Sequence, residues 1–248
     1  MFLIEIAIDN IYNGSKTHKS LYEFEQHSPI SGSIMFLTRF IPFILDDWAF
    51  LDAIFWKVEE GNSKCYGVKL AESLLHLLFK HEYTLKFSDE LGGENYVADS
   101  HNVDQNVIWR KGISTIGDIP QDWYYGNDSY EQERTKVLNL ILVLISQHLY
   151  FKPEDYLSIL NPFCCYFTNK RAPFVKSFFI SLMNTVISYD TVGRGIPYFS
   201  AATSFDTDVK LIKSIIPVLS ALIEYRPPTK ENVNELISGG FTSVKLIK

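Results

Sequence analysis

Apolar residues recur along this chain mostly at helical spacing, and strict alternation is scarce. Val68 to Lys80 is the strongest case: Leu70, Leu74, Leu75, Leu77 and Leu78 form one wide apolar face. Tyr130 to Tyr150 opens with Glu131, Glu133, Arg134 and Lys136, continues as an apolar run and ends at Pro153, which predicts a helix with a sharp stop. Phe50, Leu51, Ile54 and Phe55 predict a helix to about Lys57, with Asp46 and Asp47 placed to cap it. Pro173 can open a helix through Phe174, Phe178, Phe179, Leu182, Met183 and Val186 to about Tyr189. Another is predicted from a cap at Ser204 or Asp206 to about Tyr225, with Pro217 as a kink. Ile34 to Leu45 reads as a helix that bends or breaks near Pro42. Short helices are predicted over Glu154 to Leu160, closed by Asn161-Pro162, and over Lys230 to Ser238.

The segments between these carry turn chemistry. Asn10 to Lys19 is polar, and Ser28 to Ser33 reads as a loop, so residues 1–33 have no predicted regular organisation. Phe87 to Tyr125 is rich in Gly, Asp and Asn and keeps neither period. It predicts a long irregular insertion, about residues 87–125, with a short strand around Asn106 to Arg110. Residues 34–248 are expected to form one helical domain. The expected fold class is all-α: an irregular α-solenoid, an armadillo/HEAT-like helical array with one long irregular insertion. That expectation rests on helix order, because the sequence shows no repeat period.

Composition narrows the function classes. Hydrophobic residues are 46% of the 248, which is enough to fill a core and argues against disorder. The net charge of −6 and the lack of a basic stripe speak against a nucleic-acid partner. The nearest approach to a polybasic membrane patch is the pair Lys170-Arg171, too small to hold a membrane alone. Val137 to Phe151 is apolar-rich but shorter than the ~20 residues of a bilayer crossing. The first residues lack the pattern of a secretory signal. Three cysteines, two of them adjacent, make no disulfide framework and fit a reducing compartment.

Candidate chemistry is sparse. His76 and His81 are five apart, which takes them off a shared helix face, and neither has a partner at metal-ligand spacing. Cys164 and Cys165 lie among Phe163, Tyr166 and Phe167 and read as small buried residues. The rival reading makes one of them the nucleophile of a hydrolase or transferase. Asp46-Asp47 and the Asp206, Asp208 pair read as helix caps rather than acid–base pairs. Gly193-Arg194-Gly195 reads as a turn, since it lacks the lysine and Ser/Thr of a phosphate loop. No catalytic residue, cofactor, metal site or small-molecule substrate is expected.

Ordered blocks of this chain resemble the high-temperature-induced dauer-formation (Hid) family, distant relatives of dymeclin. Ser181 to Tyr198, containing Tyr189, Asp190, Gly193, Gly195, Ile196, Pro197 and Tyr198, is similar to the family's "SLLNTVxxYDPVGYGIPYN". Leu37 to Ile44 resembles "LLTRVLPYIFED", Phe55-Trp56 resembles "FFW", and Leu70 to Leu75 resembles "LAESLL". Ile108-Trp109 stands where the family has "YIWE", and Asn161-Pro162 resembles the opening of "NPW". The resemblance implies a non-enzymatic scaffold, cytoplasmic and peripheral on Golgi and trans-Golgi membranes. It would act in intracellular protein trafficking and secretory-vesicle cargo sorting, with other secretory-pathway proteins as partners. Family members run several hundred residues longer, so the chain is expected to match their N-terminal third. A truncated, non-functional fragment is the alternative. Phe2 stands where family members often carry a myristoylated glycine, so acyl anchoring is not expected. Trp123, Tyr124 and Tyr125 are the expected partner-binding residues, because aromatics dominate interface energetics.

Overall fold

Eight α-helices are formed by the described residues of this computed structural model, namely 2–16, 24–45, 47–56, 64–85, 108–109, 128–150, 152, 161–189 and 202–226. They are α1 (Phe2–Lys16), α2 (Phe24–Phe40), α3 (Trp48–Leu51), α4 (Tyr66–Leu78), α5 (Asp128–Ile145), α6 (Pro162–Phe167), α7 (Val175–Ile187) and α8 (Ala202–Glu224). No strand occurs among the described residues; one isolated bridge joins His81 and Leu85. The described part of the chain is therefore all-α, as expected.

α5 is the central helix. It packs against α2, α4, α6 and α8, and Val137, Leu138, Leu140 and Ile141 are fully buried. α8 meets it through Leu211, Ile215, Val218 and Leu222, a stripe at helical spacing. Ser214 of α8 donates to Oδ1 of Asn139 on α5 at 2.8 Å, adding one polar tie. α4 buries Leu70, Leu74, Leu75, Leu77 and Leu78 completely. Each fully buried leucine favours the folded state by about 1.5–3 kcal/mol over an exposed one. α1 closes the other side of α4 and α2 with Ile4, Ala7, Ile8 and Ile11.

Helix boundaries follow local chemistry. Asp47 Oδ1 accepts from the Phe50 amide at 3.0 Å, capping α3 as predicted, and a π-helical turn (Asp52–Trp56) continues it. α2 stops at Phe40, and a 3₁₀ turn (Ile41–Phe43) carries Pro42, so the predicted break is present. Gly67 lets α4 lie against Trp56: a Cβ there would sit 2.6 Å from the indole and 3.0 Å from the Phe55 carbonyl oxygen.

Several local expectations are corrected. Ser28 to Ser33 is not a loop: α2 runs through it, Pro29 included, because Ile30, Ile34 and Leu37 are buried on one side. Tertiary burial there outweighs local turn preference. α1 likewise carries helix through Asn10 to Lys16. Asn161 caps and Pro162 opens α6, a helix that was not expected there. Ser204 and Asp206 do not precede α8; they fall inside it. Ile108 and Trp109 are buried but not in a strand. The remainder of the predicted insertion, and the short helices predicted at 154–160 and 230–238, lie outside the described residues.

Asn161 has no exposed surface and satisfies three segments at once. Its Oδ1 accepts from the amides of Phe163 (2.9 Å) and Cys164 (3.1 Å), capping α6. Its Nδ2 donates to the carbonyls of Ile145 (3.2 Å) and Leu144 (3.4 Å), the open end of α5. Its own carbonyl accepts from the Tyr225 hydroxyl at 3.4 Å. Asn161→Ala removes a cap and strands buried carbonyls, so urea unfolding should show a loss of about 2–4 kcal/mol. A loss under about 0.5 kcal/mol would remove this junction from the account.

Candidate functional site

The densest polar constellation gathers where α4 ends against α5. Tyr83 donates from its hydroxyl to Glu133 Oε2 at 2.9 Å, and Lys136 holds Glu133 Oε1 at 2.6 Å. Lys136 also donates to Ser31 Oγ on α2 at 2.8 Å. Burial, with the Glu133 charge added, pushes the Tyr83 phenol well above its ordinary range, so it stays a donor. Glu133 is thus engaged on both oxygens and is not placed as a general base.

Trp109 plugs the same corner. Its indole Nε1 donates to the carbonyl of Leu78, the last residue of α4, at 2.9 Å. Its amide donates to Ser181 Oγ of α7 at 3.2 Å. The Arg134 guanidinium lies over the ring, 5.1 Å from its centre, and donates to the Thr84 carbonyl. Phe79 stacks on Trp109 at 5.8 Å and on Phe174 at 5.3 Å, and His76 meets Phe174 edge-on at 5.0 Å. Phe174 holds a left-handed backbone, φ 60°, which costs about 1–3 kcal/mol in a non-glycine residue. The ring stack offsets that cost. His76 is therefore a packing residue, and burial lowers its pKa from the ordinary histidine value.

The two adjacent thiols are buried as predicted. Cys165 Sγ lies 3.0 Å from the Tyr225 hydroxyl, and Cys164 Sγ 3.8 Å from the Ile145 carbonyl oxygen. Burial pushes Cys165 up to about 11, and pushes Cys164 and Tyr225 upward too. A nucleophilic cysteine needs the opposite shift, and no base faces either sulfur in this contact set. Among the described residues no group of three His, Cys, Asp or Glu could hold a metal, and no helix is long and apolar enough to cross a membrane. A recess beside Phe55, Trp56 and Phe163 is lined by apolar side chains and Gln147.

The residues singled out in the sequence divide in two. Tyr189 is half-buried against the core, and its amide donates to the Val186 carbonyl at 3.3 Å. Asp190, Gly193, Gly195, Ile196, Pro197 and Tyr198 lie outside the described residues, as do Trp123, Tyr124 and Tyr125. Sequence reading missed the Trp109 plug and the Tyr83–Glu133–Lys136–Ser31 chain. The signal for the first was present: Ile108-Trp109 is an apolar pair in a polar stretch. The second spans up to 105 residues and has no local signature.

Both centres tie helix ends together within a helical fold. Comparison with known proteins identifies the family. The profile of the high-temperature-induced dauer-formation protein family, Hid1, matches residues 2–240, and the chain belongs to that family. It is 30% identical to Protein HID1 of Homo sapiens over 177 residues, 65% of this chain and 21% of that protein. It is 28% identical to Protein HID1 of Mus musculus over the same shares. Protein HID1 of Dictyostelium discoideum is 26% identical over 162 residues, 65% of this chain and 17% of that protein. The chain thus matches about a fifth of the length of these relatives. No solved structure matches it.

Two measurements check the site. A thiol titrating near 11 carries about a hundredfold less thiolate at neutral pH than one titrating near 9. Disulfide-reagent labelling of Cys164 and Cys165 should accordingly run at least about a hundredfold slower in the folded chain than in denaturant. Rapid labelling of one of them would restore the nucleophile reading. Trp109→Phe keeps a ring but strands the Leu78 carbonyl, a loss of about 1–3 kcal/mol by urea unfolding. Trp109→Ala should cost about 3–5 kcal/mol. No loss for Trp109→Phe would mean that the indole hydrogen bond contributes nothing.

Proposed function

We propose that the chain is a non-enzymatic scaffold of protein trafficking, peripheral on Golgi and trans-Golgi membranes and active in sorting secretory cargo. One observation carries this reading. Among the described residues, the blocks shared with the family are used for packing and capping: Leu37, Phe55, Trp56, Leu70, Leu74, Trp109 and Asn161 are all buried. Among the described residues, the outer surface remains available for contacts. Phe43 and Leu149 are each 82% exposed there, which suits protein contacts. In this reading the helices belong to an irregular armadillo/HEAT-like array, and partners are other proteins of the secretory pathway. Trp123, Tyr124 and Tyr125 are proposed as further contact residues.

Imaging of a tagged copy in cells is the test. Perinuclear signal overlapping a Golgi marker is expected. Phe43→Ser with Leu149→Ser should disperse it while leaving helix content and unfolding midpoint unchanged, because both side chains face solvent. Diffuse signal from the folded parent would sink the proposal.

A further inference from the structure

The helix α8 carries two apolar rows, and the core uses one of them. Leu211, Ile215, Val218 and Leu222 are the buried row. Ile212, Ile216, Leu219 and Ile223 form the other, roughly 100° further round the helix. Ile212 is nearly covered and Leu219 is half-buried, but Ile216 is 50% exposed and Ile223 59%. Steps of four, three and four residues make a seam that a second helix fills. The described residues leave about half of each of these two isoleucines bare.

The end of α8 is held in place. The Tyr225 hydroxyl donates to the Asn161 carbonyl at 3.4 Å. The Arg226 guanidinium donates to the carbonyls of Ile223 at 2.8 Å and Tyr225 at 3.0 Å. Pro227 and Pro228 follow, and neither has an amide to continue the helical ladder. The chain thus leaves α8 at a fixed point, one turn beyond Ile223.

We infer that the occupant of this seam is Lys230 to Ser238, a segment outside the described residues, which folds back as a helix antiparallel to α8. Its Val233, Leu236 and Ile237 stand at i, i+3 and i+4, with Glu231 and Glu235 on the opposite side. They seat on Ile216, Leu219 and Ile223. The lengths agree: the segment as a helix is ~13 Å long, and Ile216 to Ile223 covers ~10 Å. Tyr225 to Thr229 reaches up to ~16 Å, enough to cross the ~8–10 Å between packed helix axes. A connection this short joins antiparallel neighbours. A second copy of the chain fits the seam less well. A stable interface hides ~800 Å² on each partner, and two half-exposed isoleucines supply a small part of that. A tethered segment needs no such area, because its linker holds it at a roughly millimolar effective concentration. The seam is then closed to other proteins, unlike Phe43 and Leu149.

Amide hydrogen exchange on the whole chain, read by mass spectrometry, tests this. A nine-residue helix has little stability alone, so protection across Lys230 to Ser238 reports docking. That protection is expected, and it should not change on dilution. Ile216→Glu with Ile223→Glu should speed exchange there by roughly tenfold or more while α5 stays protected. Ile216→Leu with Ile223→Leu should keep the protection. Leu236→Ser with Ile237→Ser should lose it from the other side of the contact. An unprotected segment in the parent overturns the inference. So does protection that survives in a chain carrying Ile216→Glu and Ile223→Glu with α5 intact, or one carrying Leu236→Ser and Ile237→Ser. Protection that fades on dilution assigns the seam to a second copy and overturns it as well. Should the glutamate pair expose α5, Ile223→Ser, which changes one solvent-facing side chain, takes its place with the same two readings.

Discussion

Helix ends buried in a core must find partners for their open amides and carbonyls, and this structure meets that demand at two junctions. At the first, Asn161 takes both kinds of group together: it accepts from the start of α6 and donates to the end of α5. An asparagine side chain has the acceptor and the two donor hydrogens that this needs. Aspartate would present oxygen to the α5 carbonyls and repel them. The Tyr225 hydroxyl, just after α8, then closes on the Asn161 carbonyl. Three helix ends are fixed relative to one another by one side chain and its own backbone. At the second junction Trp109 does the same for the end of α4, with Nε1 on the Leu78 carbonyl.

These junctions account for many of the polar groups buried inside the helical core. Tyr83, Glu133, Lys136 and Ser31 link three segments far apart in sequence, and the contacts described for each are structural. Arg134 is buried, with its charge over the Trp109 ring and on the Thr84 carbonyl. A satisfied buried network rigidifies; a catalytic one keeps a group poised to exchange a proton. The thiols follow the same logic. Their surroundings raise the cost of the anion, so Cys165 acts as a neutral hydrogen-bonding partner for Tyr225.

Helical periodicity was enough to read α4, α5 and α7, because their apolar faces are wide and their neighbours are apolar as well. The Asp47 cap and the Pro42 break were legible because each depends on contacts within a few residues. Reading failed where burial overrode local preference. Ser28 to Ser33 looks like a loop, yet Ile30 and Ile34 anchor it as helix. That Asn161-Pro162 opens α6 was not read, because its tie to the α5 carbonyls lies across about sixteen residues. Partner choice across 50 or more residues, as in Tyr83 with Glu133, leaves no trace in spacing.

The meeting of α1 and α4 lysines around Tyr12 shows the same limit in electrostatics. Charge patterning in a sequence reveals runs, whereas a surface is built from whichever side chains the helices turn outward together. Lys16 and Lys69 share the Tyr12 ring because α1 packs along α4, which Ile4, Ala7, Ile8 and Ile11 require. The apolar stripe of α1 therefore sets the position of its polar end. The core therefore also decides which charged side chains of α1 and α4 meet.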